Sequence, residues 1–113
     1  MSHFKSDLAF CRRWFTKWNA ICGDAISSNR MLILLELAEC GTDGIDQGEL
    51  AARVGTVKSS LSRSLRHMSD TVIVLDGVQA VGLVRSEINP ANRSKRTVYL
   101  SDTGLALMRR LYE

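Results

Sequence analysis

The stretch from Asp46 to Met68, DQGELAARVGTVKSSLSRSLRHM, leaves the backbone few choices. Asp46 followed three residues later by Glu49 has the spacing of a capping box, so a short helix starts here and buries Leu50, Ala51 and Val54. Gly55 stops it. Thr56 stands where it can cap a second helix running through Lys58 to about Met68. Val57, Leu61, Leu65 and Met68 recur there at helical spacing and make one face apolar. Two short helices joined by so tight a turn form a helix-turn-helix.

The other face of the second helix carries Lys58, Ser59, Ser62, Arg63 and Arg66, with Ser60 and His67 near its edges. No Asp or Glu lies between Lys58 and Met68, whereas a merely solvated face mixes both signs. Short hydroxyls bond phosphates and base edges, and Arg grips guanine through two donors at once. The partner this face expects is double-stranded DNA.

A chain of 113 residues allows one core, and its 45% apolar and 24% charged residues are ordinary for a globular fold. The net charge of +3 permits a nucleic-acid partner without demanding one, so the placement of the cations carries the argument. Cys11, Cys22 and Cys40 form no CxxC pair and have no His cluster beside them. Neither a disulfide framework nor a metal site is expected, and no cofactor is implied. The N-terminus lacks the pattern of a signal peptide, and no segment is long enough to span a bilayer. The expected location is therefore the cytoplasm, at the nucleoid when bound to DNA. His3 and His67 are far apart, no Ser or Cys has a base beside it, and no phosphate-binding Gly-rich loop occurs, so an enzyme is not expected.

Upstream, residues 6–22 have helical periodicity. Leu8, Cys11, Phe15, Trp18 and Cys22 make one stripe, and Phe10, Trp14 and Ile21 lie beside it. The apolar arc is wider than one packing contact needs. Either the helix is buried in its own core, or part of the arc, with Phe10, Trp14, Trp18 and Ile21 as candidates, meets a second subunit. Gly23 ends this helix and GDAISSN reads as a loop; Ser28 then caps an apolar helix from Asn29 to Cys40 that Gly41 stops. Ile45 has the context of a short pairing strand.

After Met68 the periodicity changes. Thr71 to Leu75, Asp76-Gly77 and Val78 to Val84 read as a hairpin with a type I′ turn, in competition with a helix from Asp70 to Val81 that would have to hold Gly77. Glu87-Ile88 and Thr97 to Leu100 read as strands around the tip Asn89-Pro90-Ala91-Asn92, with Arg93, Lys95 and Arg96 beside it. Cations on such a tip suit a minor groove. Ser101 caps the last helix, whose inner side should carry Leu105, Met108 and Leu111 or Tyr112. The fold class expected is mainly α with a small antiparallel β-wing, a winged helix-turn-helix in one domain over 1–113. Its parts are 6–22, 46–68, an insert and wing over 71–100, and 101–113.

GELAARVGTVKSSLSRSL, Gly82-Leu83-Val84, the wing EINPANRSKRTVYL and the following LSDTG occur in an order and spacing that resemble the MarR family of transcriptional regulators from Met31 onward. The resemblance implies a dimer on pseudo-palindromic sites, with the Lys58 to Met68 helix in the major groove and Arg93, together with Arg96, at the minor groove. The chain differs from the family pattern in carrying Asn92-Arg93-Ser94 where Asp-Arg-Arg is usual, and in placing about a dozen residues between the second helix and Gly82. Any dimer would draw much of its contact from the aromatic N-terminal helix. Family members often bind a small effector, but no polar constellation in this sequence announces a pocket for one. The function expected is a sequence-specific regulator, probed against the alternative of a winged helix used for protein contact or as a plasmid or phage accessory factor.

Overall fold

The computed structural model describes residues 2–23 and 26–113, so the expected GDAISSN loop lies partly outside the described residues, at Asp24 and Ala25. The described chain forms helices α1 (Ser2–Ile21), α2 (Ser28–Cys40), α3 (Gln47–Val54), α4 (Lys58–Asp70) and α5 (Asp102–Tyr112). The strands are β1 (Ile45–Asp46), β2 (Val72–Leu75), β3 (Val78–Val81), β4 (Val84–Asn89) and β5 (Asn92–Leu100). The sheet order β1-β5-β4 is antiparallel, with Ile45 opposite Val98 and Ser86 opposite Val98 on the other side. This is a mainly α, winged helix-turn-helix architecture.

The core is built from the apolar face of each helix. Leu34 and Leu37 of α2 meet Leu50 of α3, Leu61 and Met68 of α4, Leu83, Val98 of β5, and Leu107 and Leu111 of α5. Asp46 caps α3 by accepting from the Glu49 amide, and Gly55 closes it in the left-handed conformation at φ 71°. The reciprocal half of the capping box is missing because the Glu49 carboxylate turns outward to Arg53, 3.0 Å away.

Several ends differ from expectation for local reasons. Val57, with no hydroxyl, stands at the N-cap of α4 where Thr56 was expected, and its side chain is exposed instead of buried. The Thr56 amide is already used, donating to the Ala51 carbonyl as part of the turn. Ser27, one residue earlier than expected, caps α2 without a side-chain bond. α1 reaches back to Ser2, and α4 continues two residues past Met68 to Asp70. Leu105 points outward, and α5 instead buries Gly104, Leu107, Met108 and Leu111.

The residues after α4 form the hairpin, not the competing helix. Val72 pairs with Val81 and Leu75 with Val78 across Asp76 and Gly77, whose φ values of 52° and 79° are those of a type I′ turn. Ile73 enters the core, while Val72, Val74, Val78 and Val81 remain exposed. The hairpin lies against α1, and Asp76 at its tip pairs with Arg110 of α5.

Gly82 then returns the chain to α4. It takes φ 88°, donates to the Thr71 carbonyl, and lets Leu83 donate to Met68 at 2.9 Å. Ser101 locks this junction from the far side: its hydroxyl donates to the Gly82 carbonyl at 2.7 Å and accepts from the Gly104 amide at 2.9 Å. The GLV and LSDTG segments are therefore one structural unit although 19 residues separate Gly82 from Ser101.

Candidate nucleic-acid interface

α4 is amphipathic in the sense its sequence requires. Leu61, Leu65 and Met68 face inward, while Lys58, Ser59, Arg63, Arg66 and His67 are exposed and Ser60 and Ser62 are half-buried. With 100° between residues, Ser59, Arg63 and Arg66 share the outermost strip. Asp70 joins that strip one turn after Arg66, an acidic residue beyond the helix end expected from the sequence.

The wing leans over one edge of this strip. Side chains alternate along β5, so Arg96 shares a face with the buried Val98 and with Ser94. That face looks back at α4, and Arg96 lines a cleft of about 370 Å³ together with Ser86, Gln47, Ser62, Arg66 and Asp70. A second cleft continues along the start of α3, where Lys58 and Lys95 join Arg96, Gln47 and Ser62. The Lys58 stem passes over Gly48, where an added Cβ would come within 3.2 Å of Lys58 Cε, so the ammonium sits near the N-terminus of α3 beside Asp46. The result is a concave strip with four cations, Lys58, Arg66, Lys95 and Arg96, and the two carboxylates Asp46 and Asp70.

Of the residues singled out in the sequence, the fold brings Lys58, Ser62, Arg66, Lys95 and Arg96 together. Ser59 and Arg63 are on the adjoining exposed strip, and Ser60 turns toward the interior edge. Arg93 is exposed near the wing tip and lines neither cleft. All three wing cations belong to β5 itself and not to a loop, because the two-residue tip Pro90-Ala91 is closed by Asn89 pairing with Asn92. Asn92 braces the turn by accepting from the Ser94 amide and hydroxyl, at 3.2 and 2.6 Å.

Two features escaped the sequence. Gln47 donates to the Ser62 hydroxyl at 2.7 Å across the helix-turn-helix, a contact over 15 residues with no local signature. Arg85 stacks on the Tyr99 ring at 4.6 Å and pairs with Glu87 at 3.0 Å on the other face of the wing, where it supports the sheet.

The aromatic N-terminal helix divides differently from expectation. Trp14 and Trp18, expected as contacts to a second subunit, are 6% and 2% exposed and stack on each other with centroids 5.5 Å apart. They are core residues because α5 and the hairpin strand β2 pack against α1. Ile21 is half-buried, and Phe10 is exposed but packs on Tyr112. Burial of the Cys22 thiol pushes its pKa up to about 11. No cluster of three or more metal-ligating side chains occurs among the described residues, and none of their helices is long and apolar enough to cross a membrane.

A helix-turn-helix with a cation-lined wing defines a class of fold, and solved structures narrow it. No protein-family model matches the chain, and no curated protein resembles it in sequence. Its fold is that of the MarR family of transcriptional regulators. AbsC, a MarR family regulator from Streptomyces coelicolor, superposes with TM-score 0.64 at 21% identity, over 97% of this chain and 66% of AbsC. Sco3205 from the same organism, a MarR family regulator in complex with DNA, gives 0.65 at 20% over 96% of this chain and 61% of its own. The S. aureus MepR–DNA complex gives 0.64 at 14% over 97% and 79%. The chain thus spans about two thirds of the length of the two Streptomyces regulators.

Proposed function

We propose that this protein is a sequence-specific, double-stranded DNA-binding transcription regulator, a small dimeric repressor that acts in the cytoplasm at the nucleoid. α4 enters the major groove, where Ser59, Arg63 and Arg66 reach base edges and phosphates. The wing follows the backbone into the adjacent minor groove with Arg93, Lys95 and Arg96. The observation that carries this reading is the convergence of Lys58 and Arg66 of α4 with Lys95 and Arg96 of β5 on one concave strip. The fold shared with Sco3205 and MepR, both solved with DNA, supports it from outside the chain.

Selection of bound sequences from a random duplex library, with affinity followed against salt, tests it. Enrichment of an inverted repeat with half-sites about one helical turn apart, and a steep salt dependence, is expected. Weak binding without enrichment would reduce the strip to nonspecific phosphate attraction.

The hairpin favours a second reading. β2 and β3 carry no cation and expose Val72, Val74, Val78 and Val81, a surface suited to protein contact and not to DNA. If the winged helix serves protein contact alone, no salt-dependent DNA binding will be found.

A further inference from the structure

We infer that β3 is an acceptor edge that takes an added strand from a partner protein, a short extended segment without charged side chains. The hairpin is bonded in alternate pairs, and its phase is fixed at its base, where the Gly82 amide donates to the Thr71 carbonyl at 2.9 Å. From that pair onward, Ile73 with Ala80 and Leu75 with Val78 are bonded, whereas Val72 with Val81 and Val74 with Gln79 are not. The turn at Asp76 and Gly77 requires the same phase, since a two-residue loop closes on a bonded pair. The amides and carbonyls of Gln79 and Val81 therefore point away from β2, along a free edge. None of these groups bonds to another part of the chain among the described residues.

The edge is also unguarded. Free strand edges are ordinarily blunted by charge, proline, shortness or a covering element. β1 has two residues, β4 carries the exposed Arg85 and Glu87, and β2 rests against α1. β3, with the sequence VQAV, has none of these protections, and its Val78 and Val81 are 66% and 63% exposed. Water satisfies bare amides but leaves the valines uncovered; a strand laid along the edge does both. Its side chains alternate between the face of Val72, Val74 and Val81 and the face of Val78 and Ala80, so uncharged β-branched residues suit both. The one charge between Val72 and Val81 is Asp76, already paired with Arg110, and a charged strand would lose hydration beside the valines without gaining a partner. The hairpin leaves and rejoins the chain at the bonded Thr71 and Gly82, and Leu83 is bonded to Met68 independently of it. The proposal thus names a partner for the exposed hairpin described above and stands apart from the DNA reading.

The probe is a short acetylated and amidated peptide of alternating Thr and Val, added at millimolar concentration to the isotope-labelled full chain. The Gln79 and Val81 amide resonances should shift and their hydrogen exchange should slow, more than those of Val78 and Ala80, which are already bonded to β2. Gln79→Pro removes an outward amide without touching the bonds to β2 and should abolish peptide binding, with melting followed as a control. Gln79→Lys keeps the backbone intact and guards the edge with a charge, and should weaken the peptide about tenfold. Shifts confined to another surface, or equal binding by the natural chain and both variants, overturn the proposal. Sedimentation without peptide addresses the other occupant: self-association that Gln79→Pro abolishes would mean that β3 pairs with a second copy, and overturns the assignment to a different protein. Duplex affinity titrated on the same samples should be unchanged by either variant, so failure of strand binding with intact DNA binding counts against this proposal alone.

Discussion

Gln47 donates from Nε2 to the Ser62 hydroxyl across 2.7 Å, joining the first residue of α3 to the middle of α4. Because the Ser62 oxygen accepts, its own proton remains available to a group in the cleft. The bond also fixes the angle at which α4 leaves the turn. Gln47→Ala and Ser62→Ala should each lower stability by about 0.5–1.5 kcal/mol. The double substitution should cost less than the sum, a coupling that a urea-denaturation cycle measures directly. Additive losses would mean the contact is not formed in solution.

Arg63 is exposed on the outermost strip of α4 and has no ion-pair partner among the described residues. Arg63→Ala should weaken the selected duplex more than random DNA, by about 1–3 kcal/mol if it reads a base. Equal weakening of both would assign it to a phosphate.

Arg96 is anchored differently from Arg93, and the two should separate in titrations against salt. Arg96 lies in the cleft beside Arg66, so Arg96→Ala should weaken specific and random duplexes alike and lower the salt slope by about 1. Arg93, outside the cleft at the wing tip, should matter chiefly on sites with a narrow A·T-rich minor groove. Fluorescence titrations of Arg93→Ala on matched A·T and G·C flanks check this; equal losses on both would place Arg93 on the backbone.

What the sequence made legible was the local grammar. Asp46, Gly55 and Ser101 punctuate helices through contacts within a few residues, and Asp76-Gly77 specifies its turn through positive φ at both positions. The face of α4 followed from period alone. Less legible was whatever depends on distant packing. Periodicity showed that α1 is apolar over a wide arc, but only the packing of α5 and β2 against it decides that Trp14 and Trp18 lie inside while Phe4, Leu8 and Phe15 lie outside. Val57 fitted the apolar period of α4, yet at the N-cap the chain turns away from the core. The cleft itself joins Gln47, Ser62 and Arg96, three residues with no sequence proximity.

Cys22 and Cys11 should respond oppositely to alkylation. Burial raises the Cys22 pKa to about 11, so at neutral pH its thiol is protonated as well as covered, whereas Cys11 is exposed. A maleimide should modify Cys11 rapidly and Cys22 only on unfolding. The raised pKa also sets a direction for stability. The contribution from keeping this thiol neutral is whole below the ordinary thiol pKa and is lost as pH rises toward 11, because the unfolded chain ionises first. Melting temperatures between pH 8 and pH 11 should therefore fall less in Cys22→Ala than in the natural chain, compared from each protein's own starting value.

Gly104 has the closest surroundings of the described glycines: a Cβ built there would run into the Leu83 carbonyl oxygen. That oxygen cannot yield cheaply, because it accepts from the Ser101 amide at 3.0 Å while Leu83 donates to Met68 of α4. Gly104→Ala must therefore push α5 away from the junction between α4 and the wing. The expected cost is about 1–3 kcal/mol, with overpacking outweighing the small gain in helix propensity that alanine brings. Ser101→Ala removes the hydroxyl bridge between Gly82 and Gly104 without adding volume, and should cost about 1 kcal/mol as a lost cap. Chemical denaturation ranks the two. Because the junction sets where β4 starts relative to α4, Gly104→Ala should also weaken DNA binding under conditions where the protein is still fully folded. A variant that is destabilised yet binds DNA as before would show that the junction holds the fold together without setting the position of the wing.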